Sequence, residues 1–166
     1  MSLASDLLEV AGRLVLNAEG DTFQASLRRS LSTTYYAVFH LLAEEVVNLV
    51  CPSSPAGLRA RVSRSLTHHE MNRVCGHFSK QLPPDLRPLL PAGVSPDLTL
   101  IAETFSQLQQ VRHRADYDPD FKTIRSFALT RLDEASDAFA AWQKIRDTDE
   151  ANVFLIALAF GARWSK

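Results

Sequence analysis

Apolar residues recur at intervals of three or four positions along most of the chain, the spacing that places side chains on one face of an α-helix. The longest such row lies between residues 22 and 50. It consists of Leu27, Leu31, Tyr35, Val38, Leu42, Val46 and Leu49. No segment alternates polar and apolar residues for long enough to indicate a strand, so the pattern predicts an all-α bundle.

Rows with the same spacing predict the other helices. They lie at 2–18, 98–118, 121–142 and 151–162, with one or two shorter helices between 58 and 81. The first of these rows includes Val10, the second consists of Leu98, Ile101, Phe105 and Leu108 before it reaches Arg112, and the third includes Ile124. Because the last helix is apolar on most sides, we expect the bundle or a second copy of the protein to cover it. The pattern as a whole predicts one domain, residues 1–166, with five or more helices.

Prolines and capping residues set the expected helix boundaries. Five of the eight prolines fall in segment 82–97, which is therefore expected to be a loop. Asp21 or Thr22 should cap the second helix, and Asp97 the helix that follows the loop. Pro119 should end that helix, because the residue before a proline disfavours helical backbone.

Charge and composition narrow the setting in which the protein acts. The chain has 166 residues and a formal net charge of −1, so it has no overall attraction for nucleic acid or anionic membranes. Cys51 and Cys75 form no metal-binding or disulfide spacing, which favours a reducing cytoplasm. No signal peptide is visible, and the apolar run at 153–160 is too short to span a bilayer. We expect a cytoplasmic protein with no membrane contact, cofactor or metal.

One charged residue interrupts an apolar row. Arg112 follows Leu108 at the next core position of its helix, where an unpaired guanidinium would be costly. Asp116, four residues later on the same face, is its natural partner, and Tyr117 adds a hydroxyl. His113 points to a neighbouring face. The second helix carries a comparable polar row, which consists of Arg29, Thr33, Tyr36 and His40. If the two rows face each other, they form either a hydrogen-bonded cluster that fixes helix register or a ligand or RNA site.

Three motifs carry a resemblance to a known family. They are LRRSLSTTYYAVFHLL at 27–42, LTHHEMNRVCGHF at 66–78 and FSQLQQVRHRADYDPDF at 105–121. Together they resemble HEPN-domain proteins, in particular a bacterial group with YYA-x-FH and R-x-x-ADYD motifs. The resemblance covers most of the chain in the right order. It implies an up-and-down helical bundle with additional short helices, commonly dimeric and cytoplasmic, and often tied to RNA or nucleotide biology.

Some HEPN proteins are metal-independent ribonucleases, whose signature is an arginine, four to six residues of any type, and a histidine. Arg112 matches the arginine, but Tyr117, Asp118 and Pro119 stand where the histidine is expected. The chemistry needs an acid-base group at the 2′-hydroxyl and a cation at the phosphate. His113 projects about 100° away from Arg112 on a helix. The sequence therefore predicts no catalytic residue by the family pattern.

A local excess of basic residues suggests a phosphate-binding surface. The segment 58–80 contains a single acid, Glu70. Its candidate phosphate contacts are Arg59, Arg61, Arg64 and Arg73.

Three functions remain open. The first is a non-catalytic HEPN-like protein that binds RNA, a nucleotide or a partner protein, as a homodimer. The second is a toxin-like ribonuclease, of the toxin–antitoxin kind, that uses Arg112 with His113, His40 or His69. The third is an interaction partner of a nucleotidyltransferase.

Overall fold

The structure is a computed structural model, which describes residues 2–164, with side chains described as far as residue 161. The described residues form seven α-helices and two short 3-10 helices, and they contain no strand. The α-helices are α1 (Leu3–Leu16), α2 (Phe23–Val50), α3 (Ala56–Ser65), α4 (His68–Ser79), α5 (Pro96–Tyr117), α6 (Arg125–Ile145) and α7 (Asp149–Trp164). The 3-10 helices are Gly20–Thr22 and Arg87–Leu89. The predicted all-α class is confirmed. Over the same range, no helix combines the length and apolarity needed to cross a membrane.

Two helix starts differ from the prediction because other residues cap them. α5 begins at Pro96, and the hydroxyl of Ser95 accepts a hydrogen bond from the backbone N–H of Leu98 at 3.2 Å. Asp97 therefore lies within the first turn, where a carboxylate is favoured by the helix dipole. In α7 the hydroxyl of Thr148 accepts from the N–H of Ala151 at 3.3 Å, so that helix begins two residues earlier than expected.

The start of α6 was predicted too early, at Phe121. Residues 118–124 form a connection instead, and Ile124 is 65% exposed although it was assigned to the buried row. Gln24 holds this connection from α2. Its side-chain nitrogen donates to the Thr123 carbonyl at 2.9 Å, and its oxygen accepts from the Thr123 N–H at 3.1 Å. These two bonds use backbone groups that a helix would otherwise pair internally.

The chain divides into two compact units, and α2, α5 and α6 each contribute to both. Unit 1 comprises Met1–Leu41 and Thr104–Ala140. One buried cluster joins the end of α1 with α2, α5, α6 and the connection before α6. The cluster consists of Val15, Ala18, Leu27, Leu31, Ala115, Phe121 and Ala128, with Phe23, Val111 and Leu129 packed against it.

Unit 2 comprises Leu42–Glu103 and Ala141–Lys166. Here α7 packs beside α4, and the rings of Phe78 and Phe154 meet edge to face with centroids 4.9 Å apart. The buried residues of α7 are Ala151, Phe154, Leu155, Ala157 and Leu158. The last helix therefore packs within unit 2. Of the two arrangements expected from the sequence, this is packing onto the bundle. In contrast, α3 has no buried residue.

Candidate functional site

Arg112 is the centre of the polar cluster that the sequence predicted in unit 1. Its side chain is 15% exposed, and its Nε lies 2.9 Å from Oδ2 of Asp116, one helical turn further along α5. Because that contact does not meet hydrogen-bond geometry, it is an ion pair rather than a directed bond. The guanidinium Nη2 donates to the hydroxyl of Tyr36 on α2 at 2.9 Å. Both predicted contacts of Arg112 are therefore present.

Three aromatic rings surround the same guanidinium. Its central carbon lies 5.8 Å from the ring centroid of Tyr35, 5.4 Å from that of Tyr36 and 5.5 Å from that of Tyr117. These distances allow cation–π attraction. The hydroxyl of Ser32 donates to Asp116 at 3.2 Å, so the carboxylate also has a second partner. Arg112 thus lies among protein groups that already satisfy most of its charge.

Arg112 binds its proton more tightly in the protein than it would in water. Burial by itself lowers the pKa of Arg112, but the hydrogen bond to Tyr36 and the electrostatic interactions with Tyr36, Asp116 and Tyr117 outweigh it, and the net direction is upward. Arg112 therefore remains a cation at any physiological pH. It cannot exchange a proton with a substrate, so its role is electrostatic.

The other candidate residues, His113, His40, Arg29 and His69, have different surroundings. His113 is exposed, and its ring centroid lies 5.2 Å from that of Tyr117, which is itself 65% exposed. On α2, the ring of His40 is 6.5 Å from that of Tyr36, whereas Arg29 is exposed and its carbonyl accepts the Thr33 hydroxyl. His69 belongs to unit 2, on α4, where its side chain is 88% exposed.

Sequence reasoning missed Arg28, the neighbour of the predicted Arg29. Its Nε donates to the carbonyl of Ala115 at 2.7 Å, and its Nη2 donates to the carbonyl of Asp118 at 2.8 Å. Nη1 reaches the carbonyls of Pro119 and Phe121, both at 3.4 Å. The last carbonyls of a helix lack internal partners, so Arg28 caps α5 and holds the following connection. The sequence shows the pair of arginines at 28 and 29, but helical spacing does not show which groups either side chain contacts.

With this geometry in view, the chain was compared with models of known protein families, with curated proteins and with solved structures. None of the three comparisons gives a match. The chemistry of the site therefore has to be inferred from its own residues.

The predicted phosphate contacts in unit 2 fall into two kinds. Arg59 points back to the end of α2, donating to the Cys51 carbonyl at 2.8 Å and to Oδ1 of Asn48 at 2.6 Å. On α4, the Nε of Arg73 donates to Oε2 of Glu70 at 3.0 Å. By contrast, Arg61 and Arg64 are exposed on α3, and neither makes a hydrogen bond or ion pair with another described residue. Of the four predicted phosphate contacts, Arg61 and Arg64 are therefore the two that are fully available to an external anion.

The histidines and cysteine of α4 do not converge on a metal site. Within the described part of the chain, no group of three or more His, Cys, Asp or Glu side chains is placed to hold an ion. Cys75 is fully buried, and burial strongly raises the pKa of its thiol. A buried protonated thiol is neither a good ligand nor a nucleophile, so Cys75 serves as a small apolar core residue.

Proposed function

We propose that this protein is a non-catalytic, HEPN-like helical protein that binds RNA in the cytoplasm, as a homodimer. The family resemblance of the three motifs supports the HEPN assignment, the cytoplasmic location and the dimer. The observation that carries RNA binding is α3, a helix with three arginines, no acidic residue and no buried residue. An exposed helix with only positive charge is suited to contact a phosphate backbone.

The surroundings of Arg112 support binding without catalysis. A ribonuclease of the family type needs a cation at the scissile phosphate; Arg112 lines an open pocket with His113, but Asp116 and Tyr36 already engage its guanidinium. The three positions where the histidine is expected hold Tyr117, Asp118 and Pro119. A tyrosine hydroxyl, which keeps its proton in neutral water, is a poor general base. Proline has no titratable group, and an ionised aspartate cannot protonate a leaving oxygen.

RNA binding can be tested through the two available arginines of α3. The full chain is titrated into a short fluorescein-labelled single-stranded RNA at several salt concentrations, and fluorescence anisotropy is measured. If Arg61 and Arg64 each contact one phosphate, Arg61→Gln/Arg64→Gln should weaken binding at least fivefold. The slope of log K against log salt should fall by roughly 1.4, or ~0.7 for each lost contact.

The matched control is Arg13→Gln/Lys122→Gln, which removes the same charge from two exposed positions of unit 1. This control should leave both the affinity and the salt slope close to those of the wild type. An equal loss in the two double variants would assign binding to overall charge and reject a site on α3. Absence of binding by the wild type at low salt would reject the proposed function itself.

A cleavage assay separates the binding protein from a toxin-like ribonuclease. We expect labelled single-stranded RNA to stay intact when it is incubated with the purified protein without metal. His113→Ala and His69→Ala are suitable variants because both side chains are exposed, and Arg112→Ala completes the set once its folding has been checked. Cleavage that requires Arg112 and one of these histidines would establish an enzyme. Cleavage that survives all three changes would come from a contaminant and would leave the proposal standing.

A further inference from the structure

A small pocket in unit 2 lies apart from the arginines of α3. Its volume is about 220 Å³, and α4, the segment after it and α7 all line it. Its lining includes Arg73, Val74 and His77 of α4, Asp85 and Leu86 of the segment after α4, and Gly161 of α7. Pockets for drug-sized ligands measure about 300–1,000 Å³, so this one suits a smaller molecule.

Arg73 has hydrogen-bonding capacity that the surrounding protein does not use. Its Nε donates to Glu70, but its Nη2 is buried and has no hydrogen-bond partner. Nη2 itself is enclosed, but the side chain as a whole is 30% exposed and lines the pocket, so a ligand there would meet the exposed part of Arg73. Buried donors of charged groups are normally paired, and a carboxylate is the acceptor that matches a guanidinium in geometry.

Gly161 keeps the pocket open beside this guanidinium. A Cβ at this position would lie 3.3 Å from Cγ2 of Val74 and 3.7 Å from Nη2 of Arg73. Glycine is unfavourable inside a helix, and α7 continues beyond this residue. The close approach of α7 to Val74, where a Cβ would be crowded, gives a physical reason for glycine at this position.

The charges around the pocket select the kind of ligand. Arg73 is the cation, and its ion-pair partner Glu70 offsets that charge, while Asp85 contributes a second carboxylate to the pocket wall. Burial lowers the pKa of His77, the nearby charge of Arg73 lowers it further, and Asp85 partly opposes both. His77 is therefore neutral at pH 7 and adds no positive charge. A simple anion would meet net repulsion, whereas a molecule with both an anionic and a cationic group would not.

We propose that this pocket binds a small zwitterion of the amino-acid type, with its carboxylate on Arg73, its ammonium group on Asp85 and a short aliphatic body against Val74 and Leu86. The apolar walls provide the contact area, and the two charged groups fix the orientation. This proposal is independent of RNA binding, because it uses neither Arg61 nor Arg64.

The test compares three ligands of nearly the same shape by calorimetric titration of the full chain. Leucine carries both charges, 4-methylpentanoate only the carboxylate and 3-methylbutylamine only the ammonium group. We expect leucine to bind with a dissociation constant at or below about 1 mM and at least fivefold more tightly than either analogue. Inorganic phosphate should not bind detectably. If 4-methylpentanoate binds as tightly as leucine, or if leucine shows no saturable binding, the proposal is wrong.

Two variants assign the two ends of the ligand. Asp85→Asn, at an exposed position, should remove the preference for leucine over 4-methylpentanoate. Arg73→Gln should remove the preference for leucine over 3-methylbutylamine, and circular dichroism shows whether this variant is folded. Arg13→Gln and Asp133→Asn, at exposed positions outside the pocket, are the matched controls and should retain both preferences. Equal effects of pocket and control variants would overturn the assignment.

Discussion

A chain that ends at Thr148 is expected to lose cooperative folding. The truncation removes α7, whose Phe154, Leu155 and Leu158 are almost completely buried in unit 2. Burial of each such side chain contributes about 1.5–3 kcal/mol, so the three together are comparable to the ~5–15 kcal/mol that stabilises a typical domain. Removal also uncovers apolar side chains of α4, among them Phe78. Urea denaturation followed by circular dichroism should show no single sigmoidal transition, and a soluble truncated protein that unfolds cooperatively would contradict this prediction.

Two phenylalanines on α7 provide a milder and better matched comparison. Phe154 is fully buried, whereas Phe160 is 36% exposed. Phe154→Ala should lower the free energy of unfolding by about 3–5 kcal/mol, because it leaves a cavity beside Phe78. Phe160→Ala removes the same atoms from a more exposed position and should lower the free energy of unfolding by less than about 1 kcal/mol. Equal costs at the two positions would show that α7 is not packed as the structure has it.

Arg112→Ala is expected to lower the free energy of unfolding by about 2–3 kcal/mol. Removing one partner of a buried ion pair costs about 3–5 kcal/mol, because the other charge stays behind unpaired. Here the side chains of Arg112 and Asp116 remain 15% and 25% exposed, so water screens part of that cost. The change also leaves the Tyr36 hydroxyl without its guanidinium donor. Urea denaturation of the two proteins measures the difference.

The ion pair between Arg13 and Glu9 is the natural control for this prediction. It also joins residues four apart on one helix, but its side chains are 70% and 52% exposed. Arg13→Ala should change the free energy of unfolding by less than about 0.5 kcal/mol. In a double-mutant cycle, Arg112→Ala with Asp116→Ala should cost less than the sum of the two single changes. If Arg112→Ala is as harmless as Arg13→Ala, the cluster does not stabilise the fold.

The buried face of α5 was correctly predicted from the sequence because a helix fixes the direction of each side chain around its own axis. Leu98, Ile101, Phe105 and Leu108 form the predicted row and are all fully buried. Arg112 continues that row, and Asp116 lies one turn further on, so their pairing needs only helical geometry. The contact with α2 was also foreseeable, since both helices carry a polar row beside their core residues.

The same rule failed where another element decides what a side chain meets. Val10 belongs to an apolar row but is 44% exposed, because periodicity does not show how wide the covered face of a helix is. Ile124 is 65% exposed because it lies in the connection before α6 and not on that helix. Arg28 and Arg29 are equivalent in the sequence, yet only Arg28 reaches the end of α5, which is 87 positions away at Ala115. No local pattern encodes a contact of that separation.

The basic segment shows the same division between sequence and tertiary structure. Composition determined that residues 58–80 carry excess positive charge, and residue spacing predicted that they form helices. Only the tertiary structure assigned Arg59 to the end of α2 and Arg73 to a pocket closed by α7, while Arg61 and Arg64 stayed exposed. The sequence thus determined the all-α class and the faces of its helices, because both follow from residue spacing. The tertiary structure decided which charged side chains are already paired within the protein and where a pocket forms, because both depend on groups brought together from distant parts of the chain.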